Sequence, residues 1–144
     1  MIGLLLAAAA ARPDCDRLKG ALDQDRCELS DSMNIDPQPN CKNQMTQFDM
    51  NVCSFRDYLR ADIDLNQTWN AVEERLIQHK KVVATLLAGQ RAWLTYRDKQ
   101  CDVFAQWYDG GSIAALQVNS CLTDITKIRT KELGRLSAQL LEDN

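Results

Sequence analysis

Residues 101–121, which read CDVFAQWYDGGSIAALQVNSC, decide the fold. Gly110 and Gly111 near the middle of this stretch are typical of a helix C-terminus followed by a tight turn. Cys101 lies nine residues before Gly110, and Cys121 lies ten residues after Gly111. If two antiparallel helices are joined by this turn, the two cysteines lie side by side, because they are almost equally far from it. The stretch therefore predicts a Cys101–Cys121 disulfide that closes a loop of about 20 residues.

Apolar residues follow helical spacing on both sides of the turn. We expect a helix from about residue 82 to 108, ended by the two glycines, and another that Ser112 caps and that runs to about residue 141. An earlier helix is predicted from about residue 43 to 79. The residues expected on the buried faces are Leu65, Trp69, Val72 and Leu76 in the first helix, Leu86, Trp93, Cys101, Phe104 and Tyr108 in the second, and Ile113, Leu116, Cys121, Ile125, Ile128, Leu136 and Leu140 in the third.

The chain of 144 residues has room for one compact domain, and strand patterns are nearly absent. We predict an all-α fold, a small disulfide-linked bundle of three long helices plus a short N-terminal helix. The helical domain is expected to span residues 41–141. Residues 12–40 form an N-terminal extension with two further cysteines and a loop around Pro37 and Pro39.

The first residues of the chain are typical of an export signal. Residues 2–10 are an uncharged apolar run that is too short to span a bilayer, and small residues follow as signal cleavage requires. We predict that residues 1–11 are a signal peptide and that the protein is periplasmic or secreted. Cys15 follows Arg12, Pro13 and Asp14 rather than small residues, so no lipid or membrane anchor is expected.

Six cysteines in a short exported chain indicate disulfides. A zinc site is not expected, because the nearest cysteines are twelve residues apart and His79 is the single histidine. Geometry leaves two pairings open for the first four cysteines. One is local, with Cys15–Cys27 and Cys41–Cys53, and requires a bend within each segment, since twelve helical residues rise about 18 Å. The other is nested, with Cys15–Cys53 and Cys27–Cys41.

The charge pattern argues against nucleic acid as a partner. The net charge is −3, and residues 12–70 carry 7 basic and 11 acidic groups against 10 and 9 in residues 71–144. No basic stripe suited to phosphates is present. The acidic first half could instead attract a basic protein at low salt.

No set of catalytic residues stands out in the sequence. His79 is the single candidate base, and its polar surroundings at a helix end favour a structural role. Asp62 and Asp64 are two residues apart and point about 200° from each other on a helix, so one of them is expected to pair with Arg91 or Arg97 instead. No phosphate loop or dinucleotide motif is found. We therefore predict a protein that is not an enzyme and that needs no cofactor or metal.

The best candidate for binding a partner lies around the glycine turn. Aromatic residues there stand beside an acidic residue at the expected tip of a helical hairpin, and aromatic side chains often anchor protein interfaces. The loop tip, as we call this segment, consists of Trp107, Tyr108, Asp109, Gly110, Gly111 and Ser112.

Scattered residues between Cys41 and about Leu136 together form a pattern that resembles a known family. They are Cys41, Gln44, Met45, Thr46, Gln47, Met50 and Cys53; Ala61, Asp62, Leu65 and Asn66; Gln90, Arg91, Ala92, Trp93, Tyr96, Arg97, Asp98 and Cys101; Gly110, Gly111 and Ser112; and Cys121, Thr126, Arg129 and Leu133. The pattern resembles the LprI-type lysozyme inhibitor-like proteins, which are small exported bacterial domains.

The resemblance implies the disulfides Cys41–Cys53 and Cys101–Cys121, which leaves Cys15 to Cys27. It also implies that the motif residues make core and intramolecular contacts; these are Asp62, Asn66, Gln90, Trp93, Arg97 and Arg129. The function it implies is binding to a protein partner, as an inhibitor of lysozyme or another cell-wall hydrolase. The alternative is an envelope accessory or immunity-type interaction protein with no effect on lysozyme.

Overall fold

The computed structural model describes residues 39–142. The predicted signal peptide, the short N-terminal helix and the Cys15–Cys27 pair lie outside these residues. Three long helices account for most of the described chain: α1 spans Gln47–Arg75, α2 spans Lys80–Trp107 and α3 spans Ala114–Glu142. Residues 39–142 contain no strand, and the predicted all-α bundle of three long helices is confirmed. None of the three helices is long and apolar enough to cross a membrane.

Helix α1 begins later than the sequence predicts. The Thr46 hydroxyl accepts a hydrogen bond of 3.0 Å from the backbone N–H of Asp49, which is the ordinary helix N-cap. The residues before Thr46 turn back, so that Cys41 is bonded to Cys53 with their Cα atoms 5.5 Å apart. The nested pairing of Cys41 with Cys27 is therefore excluded. The predicted apolar face of α1 is buried, from Leu65 to Leu76.

Helices α1 and α3 run parallel, and α2 runs antiparallel to both. Near the start of each helix, the Asn119 side-chain N–H donates to the Asn51 carbonyl. Further along both helices, Leu65 and Leu133 pack in one apolar cluster with Trp69. The turn after α2 thus lies at the same end of the bundle as the start of α1.

The buried face of α3 differs from the predicted one. Ile128 and Leu136 were expected in the core, but 57% and 37% of their surfaces are exposed. The four buried positions of α3 are Thr123, Thr126, Leu133 and Ser137, and all but Leu133 carry short polar side chains. Because short side chains let two helix backbones approach closely, α3 presents this face to the core and turns its larger apolar residues partly outward.

The start of α3 also corrects the predicted cap. The first α-helical hydrogen bond joins the Gln117 N–H to the Ile113 carbonyl. Ile113 therefore stands at the cap position, and Ser112 precedes it in the turn. Cys101 and Cys121 are bonded to each other with their Cα atoms 5.6 Å apart, the pairing that the hairpin geometry predicts.

Candidate functional site

The loop tip lies at one end of the bundle, where α2 passes into α3. Trp107 is the last residue of α2, and 80% of its surface is exposed. Tyr108 is half-buried, whereas the remaining four residues of the loop tip are exposed. The structure thus places one large aromatic side chain in solvent beside a short polar turn.

The backbone of the loop tip is tightly folded. The Tyr108 N–H donates to the Phe104 carbonyl, and the Gly111 N–H donates to the Tyr108 carbonyl at 2.6 Å. Gly110 has a φ of 68°, which strongly favours glycine. A Cβ added to Gly111 would lie 3.0 Å from the Tyr108 carbonyl oxygen. The turn that presents Trp107 therefore favours glycine at both positions.

Two contacts fix the loop tip to the rest of the bundle. The Cys101–Cys121 disulfide joins the two helices that flank it. The Asn51 side-chain N–H, from α1, donates to the Ser112 carbonyl at 2.9 Å. All three helices therefore contribute contacts that hold the loop tip.

Exposed apolar side chains that are not among the predicted binding residues also lie at the same end of the molecule. Val103 is one helical turn before Trp107 on the same face of α2, and it is exposed. Met45 and Phe48 are exposed at the start of α1, close in sequence to Asn51, which contacts the loop. Val103 and Trp107 are four residues apart and do not belong to the predicted buried face of α2, and this spacing in the sequence could have indicated an exposed apolar pair.

The segment around the loop tip is acidic. Residues 100–126 contain three aspartates and no lysine or arginine. They are Asp102, Asp109 and Asp124, all exposed. A surface of this sign attracts basic partners at low ionic strength.

The motif residues from the sequence lie elsewhere, in the middle of the bundle, where Arg97 links the three helices. Its guanidinium contacts the Asp62 carboxylate at 3.1 Å, the Asp98 carboxylate at 2.9 Å and the Thr126 hydroxyl at 3.5 Å. It also lies over the rings of Tyr58 and Trp93, at 5.5 and 5.4 Å. Asp62 is thus the aspartate that pairs with an arginine, while Asp64 is exposed.

Burial opposes the charge of Arg97, but Tyr58, Asp98 and Asp62 outweigh that cost and raise its pKa above the ordinary value. The side chain therefore remains a cation at any physiological pH. A permanently charged guanidinium neither donates nor accepts protons in catalysis. Its role in the bundle is to pair and to orient its neighbours.

A second arginine completes this polar cluster from α3. The Arg129 Nε donates to the Gln90 side-chain oxygen at 2.9 Å, and another of its nitrogens lies 3.3 Å from the Glu132 carboxylate. Its guanidinium lies 5.8 Å from the Trp93 ring centre, so Trp93 contacts two arginines. Asn66 donates weakly to Asp62, at 3.4 Å. All six motif residues thus make intramolecular contacts.

Within residues 39–142, no three histidine, cysteine, aspartate or glutamate side chains are grouped closely enough to hold a metal ion. His79 is exposed between α1 and α2, and its backbone N–H donates to the Leu76 carbonyl. Its side chain makes no capping hydrogen bond. Because His79 precedes α2 and the loop tip follows it, the two lie at opposite ends of this helix.

Comparison with known proteins agrees with the geometry. The sequence model of the family described as lysozyme inhibitor LprI matches residues 39–133, which include both described disulfides and the six motif residues. An uncharacterized protein of Rhizobium meliloti (strain 1021) is 34% identical over 111 residues, which cover 69% of this chain and 80% of that protein. No solved structure matches the chain significantly. From the family match, the chain belongs to the LprI lysozyme inhibitor family.

Proposed function

We propose that the protein is an exported binding protein that inhibits lysozyme or another cell-wall hydrolase without catalysing a reaction itself. The observation that carries the proposal is the exposure of Trp107 on a turn that a disulfide and Asn51 hold in place. Interfaces draw most of their binding energy from a few aromatic or arginine anchors. Family membership supports the same class of function.

The fixed turn favours tight binding. Because the loop tip is already ordered, little conformational entropy is lost when it enters a cleft. Trp107 supplies apolar area, and the polar turn beside it offers hydrogen-bonding groups to the catalytic carboxylates of a hydrolase. Occupying the sugar-binding cleft in this way blocks the substrate, so inhibition requires no chemistry from the inhibitor.

The acidic segment supports a basic target. Three aspartates without a basic residue in residues 100–126 attract a positively charged enzyme and speed its encounter with the loop tip. Such attraction is screened by salt. Inhibition is therefore expected to weaken as ionic strength rises.

The test is a lysis assay in which the mature protein, with disulfides intact, is titrated against several lysozymes. We expect a stoichiometric loss of lysis. Trp107→Ala is expected to weaken inhibition at least tenfold, the usual effect of losing an interface anchor. Tyr96→Ala is the matched control, because Tyr96 is also an exposed aromatic residue of α2 but lies away from the loop tip.

Three outcomes would narrow or contradict the proposal. If no lysozyme is inhibited, lysozyme is not the target, and a pull-down from the producer's envelope extract then tests for another hydrolase. If Trp107→Ala inhibits as well as the unaltered protein, the loop tip is not the binding surface. Capture of an envelope protein that is not a hydrolase would indicate the accessory or immunity-type role.

A further inference from the structure

A polar cavity lies between α1 and α2, away from the loop tip. Its volume is about 440 Å³, within the range of small-molecule sites. Leucines of both helices and Trp69 form its apolar lining, and no residue of α3 takes part. The polar residues that line it are Asp62, Asn66, Gln90, Arg91 and Arg97. None of the contacts that support the proposed function involves this cavity.

Gln90 is the most informative residue of the cavity, because 92% of its surface is buried while its amide NH₂ has no hydrogen-bond acceptor among the described residues. Arg129 can only donate hydrogen bonds, so the Gln90 atom that faces it at 2.9 Å must be the oxygen. The amide NH₂ is thereby fixed at the opposite end. Among the described residues it donates to no acceptor, and Gln90 lines the cavity whereas Arg129 does not.

Among the described residues, Ser137 Oγ is the one fully buried side-chain polar atom without a partner. The Gln90 NH₂ is therefore still accessible, and it can donate to a carbonyl or hydroxyl oxygen supplied from the cavity. Asn66 offers the complementary group. Its NH₂ donates to Asp62, and its oxygen accepts no hydrogen bond from the described residues. The cavity thus presents one donor and one acceptor, which is the pattern that recognises a peptide-like amide.

The charged side chains that line the cavity are two arginines and one aspartate, Arg91, Arg97 and Asp62. Asp62 and Arg97 neutralise each other at 3.1 Å. Arg91 is exposed at the rim and has no carboxylate within 4.0 Å among the described residues. A guanidinium in this position can bind a carboxylate through two parallel hydrogen bonds.

From this arrangement we propose that the cavity binds a small, amide-bearing carboxylate of the class of an acylated dipeptide. The carboxylate lies against Arg91, a carbonyl oxygen accepts from the Gln90 NH₂, and an N–H donates to the Asn66 oxygen. The apolar side chain of the ligand packs against Trp69 and the leucines.

The test is an NMR titration of the intact protein with N-acetyl-leucyl-alanine, observing the side-chain NH₂ signals of Gln90. We expect these signals to shift on saturation. The C-terminal amide of the same dipeptide has no charge and is expected to bind at least tenfold more weakly, because it loses a charge-assisted pair with Arg91.

Two variants localise the binding. Gln90→Glu keeps an oxygen for Arg129 but turns a carboxylate toward the cavity, so we expect at least a tenfold loss of affinity for the dipeptide. Arg91→Gln, at an exposed position, is expected to cause a similar loss with no change in folding. Arg135→Gln is the control, since Arg135 is an exposed arginine of α3 outside the cavity.

Three results would overturn the proposal. They are the absence of binding at millimolar dipeptide, equal binding of the dipeptide and its amide, and unchanged binding to Arg91→Gln. If Gln90→Glu does not fold, Arg91→Gln and the amide ligand still decide the matter. The lysis assay with Trp107→Ala is independent of all three results.

Discussion

Helices α1 and α2 have nearly the same length but are held in the bundle by different means. Helix α1 buries ten residues, most of them apolar. Helix α2 buries only three, and none carries an ordinary hydrocarbon side chain: Gln90, Arg97 and Cys101. Each of the three links α2 to another helix: Gln90 bonds to Arg129, Arg97 pairs with Asp62, and Cys101 is bonded to Cys121. Helix α1 is thus held by the packing of many buried side chains. Helix α2 is held by half-buried contacts together with one hydrogen bond, one ion pair and one disulfide.

This difference has a physical consequence. Loss of one apolar contact from α1 leaves many others, but loss of one link from α2 removes a large share of what attaches it. The link through Arg97 is expected to matter most, since breaking a buried ion pair leaves an uncompensated charge.

Arg97→Ala is therefore expected to lower the free energy of unfolding by about 3–5 kcal/mol, because the Asp62 carboxylate stays buried and loses the guanidinium that lies 3.1 Å from it. Denaturant unfolding followed by circular dichroism measures the change. Arg91→Ala, an exposed arginine of the same helix, is the control and should stay within about 0.5 kcal/mol. Equal effects of the two variants would show that α2 does not depend on the ion pair.

Replacing Cys101 and Cys121 together by serine is expected to cost about 3 kcal/mol, the chain-entropy value for a loop of about 20 residues. Hydrogen exchange should show amide protection in α2 falling below that in α1. The matched control replaces Cys41 and Cys53, which link the start of α1 to the segment before it and leave α2 attached. Equal loss of protection in both helices would contradict the distinction between them.

Gly110→Ala is expected to destabilise the protein by about 1 kcal/mol, because a φ of 68° is unfavourable for alanine. The same substitution at Gly89, inside α2, should stabilise the protein by about 0.5–1 kcal/mol, since a Cβ there meets no atom within 4 Å. Thermal melting of both variants shows whether each substitution lowers or raises the stability of the protein. A stabilised Gly110→Ala would mean that the turn is not fixed in this conformation.

Ser137→Ala is expected to leave stability unchanged within about 0.5 kcal/mol or to raise it slightly. The Ser137 hydroxyl is fully buried and has no hydrogen-bond partner among the described residues. Its burial costs hydrogen bonds to water that no protein group replaces, and the substitution removes this cost. Ser54→Ala is the control. Its hydroxyl donates to the Asn51 carbonyl and accepts from Asn119, and its loss should cost about 1 kcal/mol in denaturant unfolding. A large loss of stability in Ser137→Ala would contradict this expectation and would indicate that the hydroxyl makes a hydrogen bond.

The parts of the fold that are local in sequence could be predicted. The spacing of Leu65, Trp69, Val72 and Leu76 identifies the buried face of α1, because hydrocarbon side chains repeat with the helical period. The glycine turn with its flanking cysteines identifies the α2–α3 hairpin. In both cases neighbouring residues alone determine the outcome.

The parts that depend on distant partners could not be predicted. Gln90 and Arg129 are 39 residues apart, and nothing in the sequence near either residue indicates the hydrogen bond between them. The buried face of α3 was misjudged because hydrophobicity ranks Ile128 above Thr126, whereas close approach to a neighbouring helix favours the smaller side chain. The cavity between α1 and α2 likewise depends on the packing of two helices, so the sequence of either helix alone does not predict it.

The parallel course of α1 and α3 has a practical consequence for handling the protein. The described chain enters the bundle beside the loop tip and leaves it at the opposite end of α3. A helix of 29 residues is about 43 Å long. A sensor surface or fluorescent label attached at residue 142 is thus kept well clear of the loop tip, whereas one attached at residue 39 itself would lie at the same end of the bundle as the loop tip.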